Sequence, residues 1–373
     1  MRPNERSAMI RFGFVSTMAL TRESQKDRFL KACRSEPVDR VPVWMMRQAG
    51  RYLPEYQAVR ADHSFLEICK TPELAAKVSI QPYRIVGVDA IIVFSDILIV
   101  AEAMGMPLDV HDSGPILSNP IRDLAGVQRL RDFDPEIETR FVGDAIRAIS
   151  KEVGPDVPVI GFAAAPWTLA CYMIEGKTRG DVSHAKAALY GDPSLIHELL
   201  RKIARATVGY LQAQIDAGAA VVQLFDTWAS ELSADEYAAF ELPATQMVLE
   251  SLRNPEVPRI LFAKGSERHL ESMAESGADV LSLDWNTDLA DARQMLGRRV
   301  ALQGNVDPSI LLRPEAEVCQ AAQIAVEKTG GLGHILNLGH GILPNTPVAN
   351  ARAFVQAGQQ AAVTSTVPSG GAT

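Results

Sequence analysis

Residues 89–96 have the sequence DAIIVFSD, an unbroken apolar run that ends in a carboxylate. Strands that are buried on both faces have such continuous aliphatic runs, whereas strands with one wet face alternate polar and apolar residues. We therefore predict a buried parallel strand over Asp89–Ser95. Asp96 then lies at the carboxyl end of that strand, where barrels of alternating strands and helices place their active sites.

Apolar runs of the same kind recur along the chain and alternate with helical patterns. The other predicted strands are Val41–Met46, Val159–Ala164, Ala220–Phe225, Arg259–Ala263, Val280–Leu283, Val300–Gln303 and His334–Leu338. Between them, Asp192-Pro193 opens a long predicted helix that runs towards Asp216, since Pro is favoured in a first helical turn. Ser233 and Glu236 have the spacing of a capping box at the start of another helix.

This alternation predicts the fold class α/β, as a single-domain (β/α)8 barrel of the TIM type. An open, doubly wound sheet is the alternative, but no G-x-G-x-x-G motif follows the first strand to support its dinucleotide-binding version. We expect residues 1–24 to form an N-terminal extension, with Met18 as an alternative start. Residues 25–363 then form the catalytic barrel, and residues 364–373 form a disordered tail.

Composition argues against several classes of protein. The chain has 373 residues and a formal net charge of −8, whereas general nucleic-acid binders are usually basic. No apolar run is long enough for a membrane span. The four cysteines are far apart and form no C-x-x-C pair, which is typical of reduced thiols and not of a disulfide framework or zinc ribbon. We expect a cytoplasmic protein that binds neither nucleic acid nor membrane.

The residues that follow the predicted strands are the first candidates for an active site. In chain order they are Arg47, Asp96, Pro166-Trp167, Asp226-Thr227, Lys264, Asp284, Asn305, Asp307 and His340. We expect this polar and varied set to converge on one rim of the barrel.

The loop after the first strand is the most informative of these segments. Residues 45–56 have the sequence MMRQAGRYLPEY, in which Arg47 and Arg51 flank Gly50, and Arg60 follows. Arginine presents a planar fork of donors that suits carboxylate or phosphate, and glycine lets backbone N–H groups approach a ligand. The loop therefore predicts a clamp for a polyanion. A solvated loop whose arginines pair with nearby carboxylates is the alternative.

Other strand-end side chains each have a functional and a structural interpretation. Asp96 can act as an anion that binds N–H groups or stabilises a cation, or it can cap the next helix. His340 lies in a tight turn at the top of the barrel and suits acid/base or ligand-binding work, whereas His334 starts the last strand and is expected to be structural. Tyr172, in the first turns of a helix, is a site residue or a packed aromatic.

Lys264 follows the fifth predicted strand and invites comparison with Schiff-base lysines. Such lysines need a desolvated pocket, and the turn Lys264-Gly265-Ser266 does not suggest one. We therefore interpret Lys264 as an exposed turn residue.

Five segments together resemble the uroporphyrinogen decarboxylase family. They are PVWMMRQAGRYLPEY, IIVFSDIL, GFAAAPWTLACYMIEG, QLFDTWAS and HILNLGHGILPNTP, and the resemblance runs in the family's order from about Asp27 to Val363. RQAGRYLPEY is highly specific, since related barrels such as corrinoid methyltransferases do not carry it whole. The resemblance implies a TIM-type barrel, a homodimer, and decarboxylation of uroporphyrinogen with no metal and no cofactor.

The resemblance also implies the site. The family's substrate-binding positions fall on Arg47, Gln48, Ala49, Gly50, Arg51, Arg60, Phe94, Asp96, Phe162, Tyr172, Phe225, Thr227 and His340. The positions we expect to act in catalysis fall on Arg47, Asp96, Tyr172 and His340. Ser230 and Asn345 depart from the family pattern, which puts only local loop geometry in doubt.

The same resemblance implies a mechanism in which a protonated pyrrole ring is the electron sink for the departing CO₂. The arginines hold peripheral carboxylates, and Asp96 accepts pyrrole N–H groups and stabilises the ring cation. The proton donor stays open between His340, Tyr172, water and the substrate's own acid.

Three other functions are weighed against this one. A corrinoid or thiol methyltransferase uses zinc held by His and Cys, but no strand end offers a Cys beside a His. A Schiff-base aldolase would act through Lys264. A tetrapyrrole carrier or chaperone would bind without turnover, and the presence of Asp96, Tyr172 and His340 argues against it.

Overall fold

The protein is described by a computed structural model over residues 23–111, 114–177 and 180–363. Most of the predicted N-terminal extension and the whole predicted tail lie outside these residues. The strands are β1 (Ile91–Ile92), β2 (Leu108–His111), β3 (Gly114–Leu117), β4 (Val159–Ala164), β5 (Val221–Asp226), β6 (Arg259–Ala263), β7 (Val280–Leu283), β8 (Ala301–Val306) and β9 (His334–Leu338).

Helices surround these strands, as expected for an α/β barrel. They are α1 (Gln25–Cys33), α2 (Pro54–Asp62), α3 (Phe65–Lys70), α4 (Pro72–Ile85), α5 (Ile99–Ala103), α6 (Leu124–Arg129), α7 (Pro135–Glu138), α8 (Arg140–Val153), α9 (Pro166–Glu175), α10 (Ser183–Gly191), α11 (Pro193–Asp216), α12 (Ala234–Glu236), α13 (Leu242–Ser251), α14 (Leu270–Ala274), α15 (Leu289–Leu296), α16 (Glu315–Thr329) and α17 (Val348–Gln360). Short 3-10 turns lie at Ala229–Glu231, Ser266–Arg268 and Pro308–Leu312, and a π-helical turn lies at Tyr237–Glu241.

Parallel pairing joins the strands in the order β1-β4-β5-β6-β7-β8-β9. The segment around Val43 lies between β9 and the chain that leads into β1. Val43 bridges Leu336 in parallel, Leu336 N–H donates to the Pro42 carbonyl (3.0 Å), and Asp89 N–H donates to the Val43 carbonyl (2.7 Å). This segment takes the place of the predicted first strand, so the TIM-type barrel is confirmed.

Four predicted strands have the observed bounds, namely Val159–Ala164, Arg259–Ala263, Val280–Leu283 and His334–Leu338. The observed β5 is shifted by one residue from its prediction, and β8 runs to Val306. The long helix α11 and the Ser233 capping box are also confirmed.

The first two predicted strands are mostly irregular. Only Ile91–Ile92 of the predicted Asp89–Ser95 strand is regular, and Val41–Met46 contributes a single bridge. Side chains take several of the backbone bonds that a ladder would make: the Phe94 N–H donates to Ser79 Oγ (2.8 Å) and the Val43 N–H to Asp89 Oδ2 (2.9 Å). The sequence therefore predicted more regular strand than the structure has at these two positions. The first leads to the arginine loop (residues 47–51), and the second leads to Asp96.

An antiparallel hairpin of β2 and β3, in which Leu108 pairs with Leu117, was not predicted from the sequence. It stands apart from the barrel sheet.

A polar network crosses the barrel interior beneath the cleft. Trp44 Nε1 donates to Gln303 Oε1 (2.9 Å), and Gln303 Nε2 donates to Gln223 Oε1 (3.1 Å) and Ser282 Oγ (2.9 Å). All four side chains are buried. Because buried polar groups need partners, this network fixes the floor below the strand ends.

No helix in the described ranges has the length and apolarity that crossing a membrane requires.

Candidate active site

Two hydrogen bonds place the arginine loop at the mouth of the barrel. Met46 N–H donates to Asn337 Oδ1 (3.0 Å), and Ile342 N–H donates to the Met46 carbonyl (2.9 Å). The next residue, Arg47, is exposed and has a φ of +60°, a left-handed conformation that is uncommon outside glycine. Its side chain lies over Gly341, where a Cβ would fall 2.7 Å from Arg47 Cγ. The loop thus holds Arg47 against the turn that follows β9.

The middle of the loop is held from inside the protein. Gln48 is buried, its Nε2 donates to the Ala90 carbonyl (2.9 Å), and its Oε1 accepts the N–H three residues earlier (3.1 Å). Its side chain therefore anchors the loop and does not face the cleft. Ala49 and Gly50 are half-buried, and a Cβ at Gly50 would lie 2.8 Å from the Arg47 carbonyl oxygen. A side chain at position 50 would push the loop out of shape.

The other two arginines lie at the edge of the cleft. Arg51 and Arg60 are exposed, and both act on the phenol of Tyr56, whose pKa is raised by burial and lowered by the two cations. The Tyr56 ring lies 5.6 Å from that of Phe94. Arg60 also donates to the carbonyl of His63. Tyr56 is thus within electrostatic reach of both arginines and in ring contact with Phe94, two residues before Asp96.

The Asp96 carboxylate has one oxygen bonded within the fold and one available to a ligand. Oδ1 accepts the Leu98 N–H (2.8 Å) in the turn before α5. Oδ2 has no hydrogen-bond partner, and Asp96 no ion pair, within the described part of the chain. Burial raises the pKa of Asp96 to about 6, while the Leu98 hydrogen bond and the charge of Arg47 oppose the shift. Asp96 is therefore not the N-cap of α5, which is Leu98, although its Oδ1 holds the turn before that helix. Its role as an anion in the cleft stays a prediction.

His340 is half-buried between two aromatic rings. Its ring centroid lies 5.8 Å from that of Phe262 and 6.3 Å from that of Trp285, both edge-on. Burial, together with the positive charges of Arg47 and Lys264, lowers the pKa of His340 to about 4. The imidazole is therefore neutral near pH 7 and offers a hydrogen bond without a charge.

Tyr172 and Thr227 occupy the third side of the cleft. The buried Tyr172 ring on α9 meets Trp228 edge-on at 6.1 Å. Burial raises the pKa of Tyr172, and the charges of Arg47 and Asp96 both act on its phenol, which places the three groups within electrostatic reach. Thr227 is half-buried and directly follows β5.

A row of phenylalanines lines the cleft between these polar groups. Phe162 and Phe225 meet edge-on at 5.7 Å, and Phe225 lies 6.1 Å from Phe262. With the contact between Phe262 and His340, the row runs from β4 to the turn after β9. The row places Phe162 and Phe225 in ring contact, and their role as a wall against a ligand stays a prediction.

Two buried carboxyl groups support the cleft from behind. Thr168 Oγ1 donates to Asp226 Oδ1 (2.6 Å) and accepts the Trp228 N–H (3.0 Å), and Glu241 accepts the Trp167 N–H (2.7 Å). Burial raises the pKa of Asp226 to about 7 and that of Glu241 well above its usual range. The expectation that Asp226 faces the rim was wrong, because α9 covers it. Glu241, in the π-helical turn, has no sequence signal that would have singled it out.

Other residues at the strand ends also differ in burial, some being fully buried and others partly exposed. Asp284 is fully buried, so its expected place on the rim was also wrong, whereas Lys264 is half-buried at the end of β6. His334 is fully buried with Nε2 2.8 Å from the Gly304 carbonyl, in the structural role expected of it. Within the described residues, no three His, Cys, Asp or Glu side chains are grouped as metal ligands would be.

The arrangement suits one kind of ligand. An exposed arginine, a carboxylate oxygen without a partner, a neutral imidazole and a phenol surround a cleft lined by phenylalanines. Such a cleft binds a molecule that is anionic at its edge, apolar in its body and rich in N–H donors at its centre.

Comparisons with known proteins point to one family. The model of the uroporphyrinogen decarboxylase (URO-D) family matches residues 24–361. The uroporphyrinogen decarboxylase of Pelobacter propionicus is 51% identical over 334 residues, which cover 89% of this chain and 98% of that protein. That of Trichlorobacter lovleyi is 50% identical over 330 residues, 88% of this chain and 97% of that protein.

Solved structures share the fold. A methyltransferase from Methanosarcina mazei is 26% identical with a TM-score of 0.75, and the match covers 90% of this chain and 98% of that one. A putative vitamin-B12-independent methionine synthase from Listeria monocytogenes is 17% identical with a TM-score of 0.53, over 86% and 96% of the two chains.

Proposed function

The chain belongs to the uroporphyrinogen decarboxylase family, and on that premise we propose that it converts uroporphyrinogen III to coproporphyrinogen III in porphyrin and haem biosynthesis. The enzyme is a carboxy-lyase that turns each of four acetate side chains into a methyl group and releases CO₂. The observation that carries the proposal is Asp96, whose Oδ2 has no hydrogen-bond partner among the described residues and whose carboxylate feels the charge of Arg47.

The substrate matches the cleft group by group. Its pyrrole N–H donors point to the centre of the macrocycle and suit Asp96 Oδ2, while Arg47 and Arg51 bind carboxylates at the edge. Phe162 and Phe225, backed by the fully buried Phe262, pack against the apolar body of the macrocycle. Because the cleft is lined by aromatic rings, the charge of Asp96 acts there through a less polar medium than water.

Decarboxylation needs an electron sink, and the proposal assigns that role to the pyrrole itself. A proton adds to the ring carbon beside the acetate-bearing carbon, and the ring becomes cationic. The electron pair of the bond to the carboxylate then flows into the ring as CO₂ leaves, giving an exocyclic methylene. A proton adds to this methylene and the ring proton is lost, so each turn consumes one proton net and converts one acetate to a methyl.

Asp96 stabilises this intermediate because its negative charge lies beside the ring cation. Arg47 orients the reacting acetate, and Tyr172 and Thr227 contact neighbouring carboxylates. His340 is neutral near pH 7 and joins Tyr172, water and the substrate's own acid as a route for the proton.

The test is an anaerobic assay of the purified protein with uroporphyrinogen III, EDTA and no added cofactor. Products are oxidised and separated as porphyrins. We expect porphyrins with seven, six, five and four carboxylates to appear in turn. Tight binding without loss of carboxylate would replace the enzyme by a tetrapyrrole carrier, and activity that disappears with EDTA and returns with a metal would contradict cofactor independence.

We also propose that the protein is a homodimer and lies in the cytoplasm. The family resemblance supports the dimer, and the cytoplasm is supported by the four cysteines, all of which are unpaired thiols. Sedimentation of the purified protein at micromolar concentration tests the dimer, which a monomer mass would contradict.

A further inference from the structure

The cations assigned to the substrate so far all lie on one side of the barrel. Arg47 and Arg51 belong to the loop after the segment around Val43, and Arg60 lies on the helix that follows that loop. A macrocycle with carboxylates around its whole edge also presents anions to the facing wall. In an eight-stranded barrel the fifth strand lies opposite the first, and here the fifth position is β6, followed by Lys264.

The pairing of β6 aims the Lys264 side chain at the cleft. Phe262 is fully buried and points towards the barrel interior below the cleft, since its ring lies 5.8 Å from that of His340. The Lys264 N–H donates to the Asp226 carbonyl (3.0 Å) and so continues the ladder between β5 and β6 for one more residue. Side chains two residues apart on a strand share a face, so Lys264 lies directly above Phe262.

The carboxylate beside Lys264 is already fully bonded. The register of β6 and β7 puts Asp284 next to Lys264, but Asp284 is fully buried. It accepts the Gly265 N–H (2.8 Å) and the hydroxyls of Ser266 and Thr287 (3.2 Å each). Lys264 itself is half-buried and forms no ion pair with any residue that the structure describes. A partly desolvated cation without a partner is unfavourable unless a ligand supplies the anion.

The electrostatic environment of His340 is consistent with a Lys264 side chain on this wall of the cleft. Arg47 and Lys264 both act on its imidazole, one from the arginine loop and the other from the wall that faces it. The two cations therefore flank the same part of the cleft.

We propose that Lys264 binds a side-chain carboxylate of the tetrapyrrole on the wall opposite the arginine loop. This inference rests on the proposed function and adds a second anchoring point to it. It gives Lys264 the role of a charge, not that of an amine nucleophile, and it revises the interpretation of Lys264 as an exposed turn residue.

The test compares Lys264→Met, Lys264→Arg and the matched control Lys151→Met, which removes an equal charge from an exposed position on the outer helix α8. Binding is measured by fluorescence titration with uroporphyrin III, an oxidised octacarboxylate that needs no turnover. We expect about tenfold weaker binding for Lys264→Met, recovery for Lys264→Arg, and no change for Lys151→Met. The KM for uroporphyrinogen III should follow the same order.

Unchanged binding in Lys264→Met, or an equal loss in Lys151→Met, would overturn the assignment. Circular dichroism and the unfolding temperature establish that each variant is folded. The titration stands apart from the proposed function: a wild-type protein that binds the porphyrin but releases no CO₂ refutes the decarboxylase and leaves the Lys264 comparison valid.

Discussion

The side chain of Arg47 lies across the backbone of Gly341, so that a Cβ at position 341 would fall 2.7 Å from Arg47 Cγ and 2.9 Å from its Nε. Gly341 therefore leaves the space through which Arg47 reaches the cleft from an unusual left-handed backbone. The arginine loop and the turn that carries His340 fit together at this one point, which connects the first strand position of the barrel to the last.

We predict that Gly341→Ala lowers kcat/KM at least about tenfold without unfolding the protein. The clashing atoms belong to a side chain that can move, so the added methyl group displaces Arg47, and displacement of a positioning group by about 1 Å can reduce a rate by about 100-fold. The matched control is Gly191→Ala, since a Cβ at Gly191 meets no atom within 4 Å. Equal activity of the two variants would show that Arg47 does not need this space.

The pH dependence of kcat/KM should report the ionisation of Asp96. Burial raises its pKa to about 6 in the free protein, and the mechanism requires the carboxylate. We expect kcat/KM to rise as pH increases through about 6 and to level off above about 7, because His340, with a pKa of about 4, stays neutral throughout. A rate that falls with pH across this range would mean that the protonated acid is the active form.

Thr168→Val should destabilise the protein by about 2–4 kcal/mol, because it leaves both Asp226 and the Trp228 N–H buried without the hydroxyl they share. Urea unfolding measures the change. Thr168→Ser keeps the hydroxyl and serves as the control. If Val and Ser variants unfold at the same urea concentration, the bridge from α9 to the loop after β5 contributes no stability.

Continuous aliphatic runs predicted the strands that are buried on both faces and paired on both sides. The prediction failed where side chains replace backbone partners. The Ser79 hydroxyl accepts the Phe94 N–H, and the Asn337 side chain accepts the Met46 N–H. Neither bond can be read from the run of residues that forms the strand.

The polar strand ends show the same limit. Three aspartates each follow an apolar run, so the sequence pattern does not distinguish them: Asp96, Asp226 and Asp284. The structure separates them, because Thr168 on α9 covers Asp226, and Ser266 and Thr287 cover Asp284. Which carboxylate stays open to a ligand depends on helices and turns far along the chain.

In the proposed mechanism, the Asp96 carboxylate stabilises the cationic intermediate. Its raised pKa means that the folded chain holds a proton there more tightly than the unfolded chain, so this contribution to stability is full below about pH 4 and is lost as pH rises through about 6. Asp96→Asn should therefore unfold at no lower temperature than the wild type at pH 7, which removes misfolding as an explanation for lost activity.

The most direct measurement is the single-turnover rate of the first decarboxylation in Asp96→Asn, beside its affinity for uroporphyrin III. We expect a rate at least about 100-fold below that of the wild type, with affinity reduced by less than about tenfold. A near-normal rate in Asp96→Asn would contradict this mechanism, since the neutral amide cannot stabilise the ring cation by charge.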